Sequence, residues 1–291
     1  SPEKWVCDGK IVVALFLRGT SWRKGELDVS LVPNLIFLHC DKNRLTQLDV
    51  SNNPKLTVLS ALSNPLTELD VTHNPELRTL LLNSSQLTEL NVSRNPELKV
   101  LLVEGFSKYF IFSKEEEMPK FDLRIGQLIE LDVSNNPKLT KLWTNGNQLT
   151  ELDVSKNLEL KVLDVSKNHL TELDVLNNLK LTELLTNGNQ LTELDVSNLV
   201  GLEHLRATNN QLTELDVSNN QGLYTLHVSE NQLTELQLKN NKYLDELRVG
   251  ENHLTFLEFY DYVDVEWDTD IDIEIPSDLK FDKVKGCYTN E

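Results

Sequence analysis

Apolar residues return along this chain at positions 1, 4, 6, 11, 14 and 16 of a 21-residue unit, and polar residues fill most of the rest. The clearest copies read L-x-x-L-x-x-x-x-N-Q-L-T-E-L-D-V-S-x-N-P-x, beginning at Leu35, Leu56, Leu77, Leu98, Met118, Leu139, Leu160, Leu181, Leu202, Leu223 and Leu244. One turn of chain cannot bury its apolar face alone, so such turns must stack into a continuous core. The stretch from Gly105 to Gln127 resembles an insertion at first sight. Counting from Met118 instead puts Met118, Phe121, Leu123 and Gly126 at the pattern positions, with a 20-residue unit before them. That count gives eleven units, two of them degenerate.

Both halves of the unit match L-x-x-L-x-L-x-x-N, the spacing of a leucine-rich-repeat solenoid. The expected fold is a β-rich member of the α/β horseshoe class, with short strands on both sides, no long helices, and eleven repeats plus caps. Without a bulky helix on one flank, the solenoid should be flatter than a helix-backed horseshoe. Residues 1–34 read as an N-terminal cap with one atypical repeat, 35–257 as the repeats and 258–291 as a C-terminal cap. In the last segment Val263, Val265, Trp267, Ile271, Ile273 and Ile275 alternate with mostly acidic residues, the period of a strand covering the final turn.

A strand alternates its faces, so positions 3, 5 and 7 point outward from the first half-unit, and 13 and 15 from the second. Equal positions of stacked turns then form columns about 4.8 Å apart. Asparagine at position 9 (Asn43, Asn64, Asn147, Asn168, Asn189, Asn210, Asn231, Asn252) makes one column, and asparagine at position 19 makes another. Buried backbone groups need partners, and an amide can serve the turns above and below. Both columns therefore read as structural.

The segment L-I-F-L-H-C-D-K-N-R-L-T-Q-L-D-V-S-N-N-P, Leu35 to Pro54, resembles the 21-residue repeats of bacterial internalin-type surface proteins. It is closest to the subtype with cysteine at position 6, held here by Cys40. The likeness covers roughly residues 12–260. The departure is that Ala61, Leu82, Val103, Leu123, Thr144, Val165, Thr186, Ala207, Val228 and Val249 occupy the same column without sulfur. The resemblance implies a secreted or cell-surface protein that binds through the concave face of its repeats. No sorting signal or signal peptide is visible. A chain opening Ser1-Pro2 without Met reads as trimmed, so export rests on the resemblance alone.

Net charge is −18, from 46 acidic and 28 basic residues. Much of it stands in two columns: Glu26, Glu68, Glu89, Glu130, Glu151, Glu172, Glu193, Glu214 and Glu235 at position 13, and Asp28, Asp49, Asp70, Asp132, Asp153, Asp174, Asp195, Asp216 and Glu258 at position 15. Such a surface repels nucleic acid and anionic lipid and keeps the chain soluble. No stretch approaches the ~20 apolar residues that span a bilayer, so membrane insertion is not expected. Three cysteines do not make a disulfide scaffold. Cys7 and Cys287 fall in opposite caps, and Cys40 reads as a small buried apolar residue.

The second half-unit is monotonous and the first is varied, so recognition should be written on positions 3, 5 and 7 of the first half. Its opening third is apolar, with Phe16, Phe37, Val58, Leu62, Leu81 and Leu102. Arg124, Lys141 and Trp143 follow, then Leu185, and finally His204, Arg206, His227 and Arg248. An outward apolar patch commonly marks an interface, and Trp143 flanked by Lys141 and Arg124 fits a binding anchor. Tyr109 and Ile111 replace the usual Glu and Asp of the acidic columns and suggest a lateral contact.

Catalysis needs a nucleophile, an oriented base and an enclosing pocket. His204, His227 and Ser229 on an open sheet offer no enclosure, so no enzyme activity and no cofactor are expected. The run Asp268, Asp270, Asp272, Glu274 lacks the glycine-turned loop of a calcium site, and no metal is expected. The favoured reading is a monomeric module binding a protein or glycan ligand in adhesion or host contact. A cell-surface spacer or lateral-assembly protein is the alternative, and the substrate-recruiting repeats of an effector a second one.

Overall fold

A computed structural model of the chain describes residues 14–17, 26–83, 86–105, 126–259, 272–274, 280–282 and 287–289. It divides into two compact units, Ser1–Leu152 and Asp153–Glu291. The first holds strands β1 (Ala14–Phe16), β2 (Glu26–Asp28), β3 (Phe37–His39), β4 (Gln47–Asp49), β5 (Val58–Ser60), β6 (Thr79–Asn83), β7 (Val100–Glu104) and β8 (Lys141–Trp143). β1, β3, β5, β6, β7 and β8 pair in parallel in that order. β2 pairs with β4 on the other side.

The second unit holds β9 (Val162–Asp164), β10 (Glu183–Leu185), β11 (His204–Arg206), β12 (Thr225–His227), β13 (Glu235–Leu238), β14 (Glu246–Arg248), β15 (Phe256–Phe259), β16 (Asp272–Glu274), β17 (Lys280–Asp282) and β18 (Cys287–Thr289). β9, β10, β11, β12, β14 and β16 pair in parallel in that order. β13 pairs in parallel with β15, and β18 lies antiparallel between β15 and β17. Each unit is a leucine-rich-repeat β-solenoid, and among the described residues there is no helix and none long and apolar enough to cross a membrane.

The inward phase is as the 21-residue count requires. Leu38, Leu59, Leu80, Leu101 and Leu142 stand at equal register in the first unit, and Leu163, Leu184, Leu205, Leu226 and Leu247 in the second, all buried. Trp143 and Leu185, one residue on, are half-exposed. Cys40 is buried in its column and donates toward the Ser60 carbonyl at 3.5 Å, with burial pushing its thiol up to about 12.

The asparagine columns lock the turns together. Asn64 Nδ2 donates to the carbonyls of Cys40 (2.9 Å) and Ala61 (3.0 Å), and its Oδ1 accepts the N–H groups of Asn43 (3.0 Å) and Leu45 (2.9 Å). Asn210 and Asn231 make the same two donations, to their own turn and the one before, and accept the N–H of Leu191 and Leu212 respectively. Position 8, just before this asparagine, is left-handed at Lys42, Ser63, Gly146, Lys167, Gly188, Asn209, Glu230 and Glu251, although only two of these are glycine. At position 19, Asn74, Asn95, Asn178, Asn220 and Asn241 donate to two carbonyls of the preceding turns but their Oδ1 atoms accept no hydrogen bond. Leu199 replaces asparagine there, stays buried, and closes its turn by the usual backbone bond to Val196.

One expectation needs correction. The unit counted from Met118 does not stack between its neighbours, because β7 is hydrogen-bonded directly to β8, pairing Val100 with Lys141 and Leu102 with Trp143. Backbone bonds that ordinarily bridge 21 residues, such as Lys99 N to Arg78 O, here bridge 41, from Thr140 N to Lys99 O. Residues 98–105 and 126–138 together complete one 21-residue turn, so residues 106–125 are a 20-residue insertion within it. Glycine at both ends allows this. Gly105 N and Gly126 N donate to the consecutive carbonyls of Asn145 and Gly146 at 2.9 and 2.7 Å, and a Cβ on Gly126 would overlap Gly105 Cα and Asn147 Oδ1.

Short strands occur on both sides, as expected, though not in every turn. Among the described residues the second side forms strands only at β2, β4, β13 and β15 and in the β17–β18 hairpin. Elsewhere it makes one bond or so per turn, such as Thr67 N to Thr46 O at 3.2 Å. Of the expected C-terminal strand, Ile273 pairs with Leu247, while Val263, Val265, Trp267, Ile271 and Ile275 lie outside the described residues.

Excising residues 106–125 and joining Gly105 to Gly126 should leave a folded solenoid with an unchanged far-ultraviolet circular dichroism shape and a single cooperative melt. Loss of cooperative unfolding in that deletion would show that the segment is part of the stack.

Candidate functional site

The varied face consists of three outward columns. In the first unit position 5 runs Phe16, His39, Ser60, Leu81, Leu102, Trp143, and position 3 runs Ala14, Phe37, Val58, Thr79, Val100, Lys141. Phe16 is 69% exposed and stacks on His39, with ring centroids 4.9 Å apart and planes at 17°. Val58, Leu62, Leu81 and Val100 are half-buried, and Phe37 and Lys141 are exposed. The Lys141 ammonium sits 5.6 Å from the Trp143 ring centroid, within range of an attraction worth about 0.5–1 kcal/mol at an exposed site.

Leu102 corrects the expectation of an open apolar strip, since only 1% of it is exposed. It points outward, yet it lies in register between Leu81 and Trp143, which flank it on the adjacent strands. The strip is therefore a packed layer with Trp143 on top. Asp41 is likewise engaged, accepting hydrogen bonds from Ser60 Oγ (2.6 Å) and Leu62 N (2.9 Å). Arg124, Tyr109 and Ile111 lie outside the described residues. Because β7 adjoins β8, the residue beside Trp143 in its column is Leu102.

In the second unit Leu185, Arg206, His227 and Arg248 share position 5, and Glu183, His204, Thr225 and Glu246 share position 3. Leu185, His204 and Arg206 are half-buried and Arg248 is exposed, but His227 is only 8% exposed. Its burial is a second correction. Glu246 folds over the imidazole, placing Oε1 2.9 Å from His227 Nε2, 3.5 Å from Arg248 Nη2, and Oε2 3.8 Å from Arg206 Nη2. Burial pushes the His227 pKa down and Arg206 and Arg248 reinforce this, with Glu246 opposing, so the ring is neutral at neutral pH. His204 Nδ1 lies 3.0 Å from Thr225 Oγ1 and its ring meets Tyr224 edge-on at 6.0 Å.

The convergence on Glu246 is a finding of the structure that the spacing of the repeats alone does not announce. The signal available was the pairing of equal positions in adjacent turns, extended to the diagonal. A column of exposed aliphatic residues at position 20, Leu158, Leu179 and Val200, was also missed; prolines hold that position in the first unit. Among the described residues no three His, Cys, Asp or Glu side chains are grouped to hold a metal ion.

The acidic side has a structural task. Oδ1 of Asp28, Asp49, Asp70, Asp132, Asp153, Asp195 and Asp216 accepts the backbone N–H two residues on at 2.8–2.9 Å, closing a turn. Asn91 does the same for Ser93 at 3.0 Å. The hydroxyl and N–H of Ser155, Ser197 and Ser218 hold Asp153, Asp195 and Asp216 below the usual aspartate range. A depressed folded-state pKa means that the stabilisation is complete above the unfolded-state pKa, roughly 3.9, and vanishes as pH falls through the folded value. Replacing Asp153, Asp195 and Asp216 together by Asn should preserve the turns, as Asn91 does. The urea midpoint of wild type should fall more steeply than the variant's below about pH 4; parallel curves would refute this role.

No protein-family profile matches the sequence, and no curated protein matches it. Among solved structures, the functional domain of InlJ from Listeria monocytogenes, which includes a cysteine ladder, is 33% identical over 82% of this chain and 53% of that one, with a TM-score of 0.62. The internalin InlF of Listeria monocytogenes is 20% identical over 86% of this chain and 81% of that one, with a TM-score of 0.59, and shows the fold alone. YopM, a leucine-rich effector protein from Yersinia pestis, is 25% identical over 77% of this chain and 63% of that one, also at 0.59. The chain spans about half the length of the InlJ domain. Where that domain has a cysteine ladder, this column carries Cys40 among aliphatic residues and threonines.

Proposed function

We propose that the chain is a protein-binding repeat module of an exported bacterial surface protein, engaging its partner through the varied first-half face in adhesion or host contact. The observation that carries this reading is the layer in which Trp143 rests beside buried Leu102, with Lys141 against its ring and Val100, Leu81, Val58 and Phe37 continuing outward. A half-exposed tryptophan on a rigid, packed support matches the aromatic anchors that dominate binding energies. The other side is committed to the repeat itself, its aspartates closing turns and its columns nearly uniform.

Likeness to internalins supports the placement at a cell surface, and an open sheet face suits binding better than catalysis. The known partners of internalin-like proteins are not carried over, since the same fold serves many ligands.

Trp143→Ala and Phe37→Asp should each weaken binding to protein ligands recovered by the wild-type chain from extracellular protein arrays. Each should lose tenfold or more by surface plasmon resonance, about 1.4 kcal/mol per decade. Unchanged dissociation constants for every such ligand would exclude this face.

A further inference from the structure

We propose that the exposed aliphatic row at position 20 of the second unit, Leu158, Leu179 and Val200, docks weakly onto the same row of a second copy of this chain. The two copies run antiparallel about a two-fold axis between Leu158 and Leu179, and Glu159 of each meets Lys180 of the other. The proposal stands apart from the ligand-binding face.

The repeat does not require these side chains. Position 20 follows the asparagine of the turn and holds proline at Pro54, Pro75 and Pro96 in the first unit. The turn closes the same way whichever residue stands there. Leu56 N donates to Asn53 O at 3.0 Å across Pro54, Leu160 N to Asn157 O at 3.1 Å across Leu158, and Leu181 N to Asn178 O at 2.9 Å across Leu179. Exposed Gln221 is spanned in the same manner, by Leu223 N to Asn220 O at 3.0 Å. The column is therefore free to be polar. Yet three consecutive turns carry aliphatic side chains there, 53%, 58% and 68% exposed. Stacked turns repeat at about 4.8 Å, so the three form one continuous row. Contiguous exposed apolar surface marks an interaction site, whereas residues scattered singly do not.

The charges beside the row identify the occupant. At position 21, Glu159 and Lys180 stand on adjacent turns next to Leu158 and Leu179, joined at 2.6 Å, with 48% and 51% of their side chains in solvent. An acid followed by a base along a column is complementary to its own reverse. A two-fold axis across the row between these turns sets Leu158 against Leu179 of the other copy and Glu159 against its Lys180, and symmetry repeats both contacts. Two intramolecular pairs thereby become a four-charge network of alternating sign. The same operation sets Lys156 opposite Asn177 and Lys161 opposite Thr182, so these lysines meet no like charge. An axis through Leu179 would instead oppose Lys180 to itself, which like-charge repulsion disfavours. Three side chains cover much less than the roughly 800 Å² per partner of a standard interface, so the association is weak.

Sedimentation equilibrium of the full chain without ligand, from about 10 µM to about 1 mM, should fit a monomer–dimer equilibrium with a dissociation constant on the order of 100 µM. Leu179→Gln, the side chain that position 20 already carries at Gln221, should weaken the dimer at least fivefold. Glu159→Lys should do the same by opposing lysines. Combining Glu159→Lys with Lys180→Glu should restore wild-type affinity to within twofold, a rescue that neither misfolding nor unspecific aggregation gives. Trp143→Ala should change nothing. A chain that stays monomeric throughout overturns the proposal, as does a dimer insensitive to Leu179→Gln, unrescued by the charge exchange, or lost with Trp143→Ala. A monomer that instead floats with phosphatidylcholine vesicles would give the row to a lipid surface and equally refute it.

Discussion

A buried asparagine amide that bonds to its own turn and to the turn before it is the constraint on which this chain depends. Asn64 supplies two donors and one doubly used acceptor to backbone groups of residues 40 to 61, and Asn147, Asn189, Asn210 and Asn231 make the two donations with one acceptance each. A buried peptide group without a partner costs about 1–3 kcal/mol, so a shift of one residue in any turn would strand several such groups at once. The amides therefore enforce the 21-residue period together with the leucine columns, while the core column at position 6 tolerates cysteine, alanine, leucine, valine or threonine. They also explain how 20 extra residues are accommodated. The addition sits inside one turn, between two glycines that lie together, so neighbouring turns keep their period.

Once the period is enforced, freedom remains mainly at the outward positions of the first half. The second half spends its aspartates on closing turns and its asparagines on bridging them. What varies is then a narrow sheet surface, and neighbours on that surface bury one another. Leu102 disappears between Leu81 and Trp143, and His227 beneath Glu246. The two units end up with different chemistry on the same scaffold. One has an apolar layer under an aromatic anchor, the other a carboxylate folded over a buried histidine.

Most of the architecture was legible because each column repeats the same residue for the same physical reason. Leu142 and Leu184 inward, Trp143 and Leu185 outward, Cys40 buried and the asparagine bridges all follow from counting by 21. The misread unit at Met118 shows the limit of spacing. Met118, Phe121 and Leu123 reproduce the apolar interval, but whether a segment joins the sheet depends on backbone pairing, which β7 and β8 make with each other. Burial on the outward face was also hidden. Facing outward is set by strand alternation, whereas accessibility depends on the side chains of the adjacent strands.

The stability of Asn64→Leu set against Asn178→Leu, by urea unfolding, tests the asparagine bridge most directly. Asn64 accepts two backbone N–H groups and donates to two carbonyls, so its loss should cost about 3 kcal/mol or more. Asn178 donates to the carbonyls of Val154 and Asn157 but accepts nothing, and Leu199 already fills the equivalent place in the next turn. Its replacement should cost less than half as much. Equal losses, or a milder loss at Asn64, would mean that the leucine core and not the amide ladder sets the period.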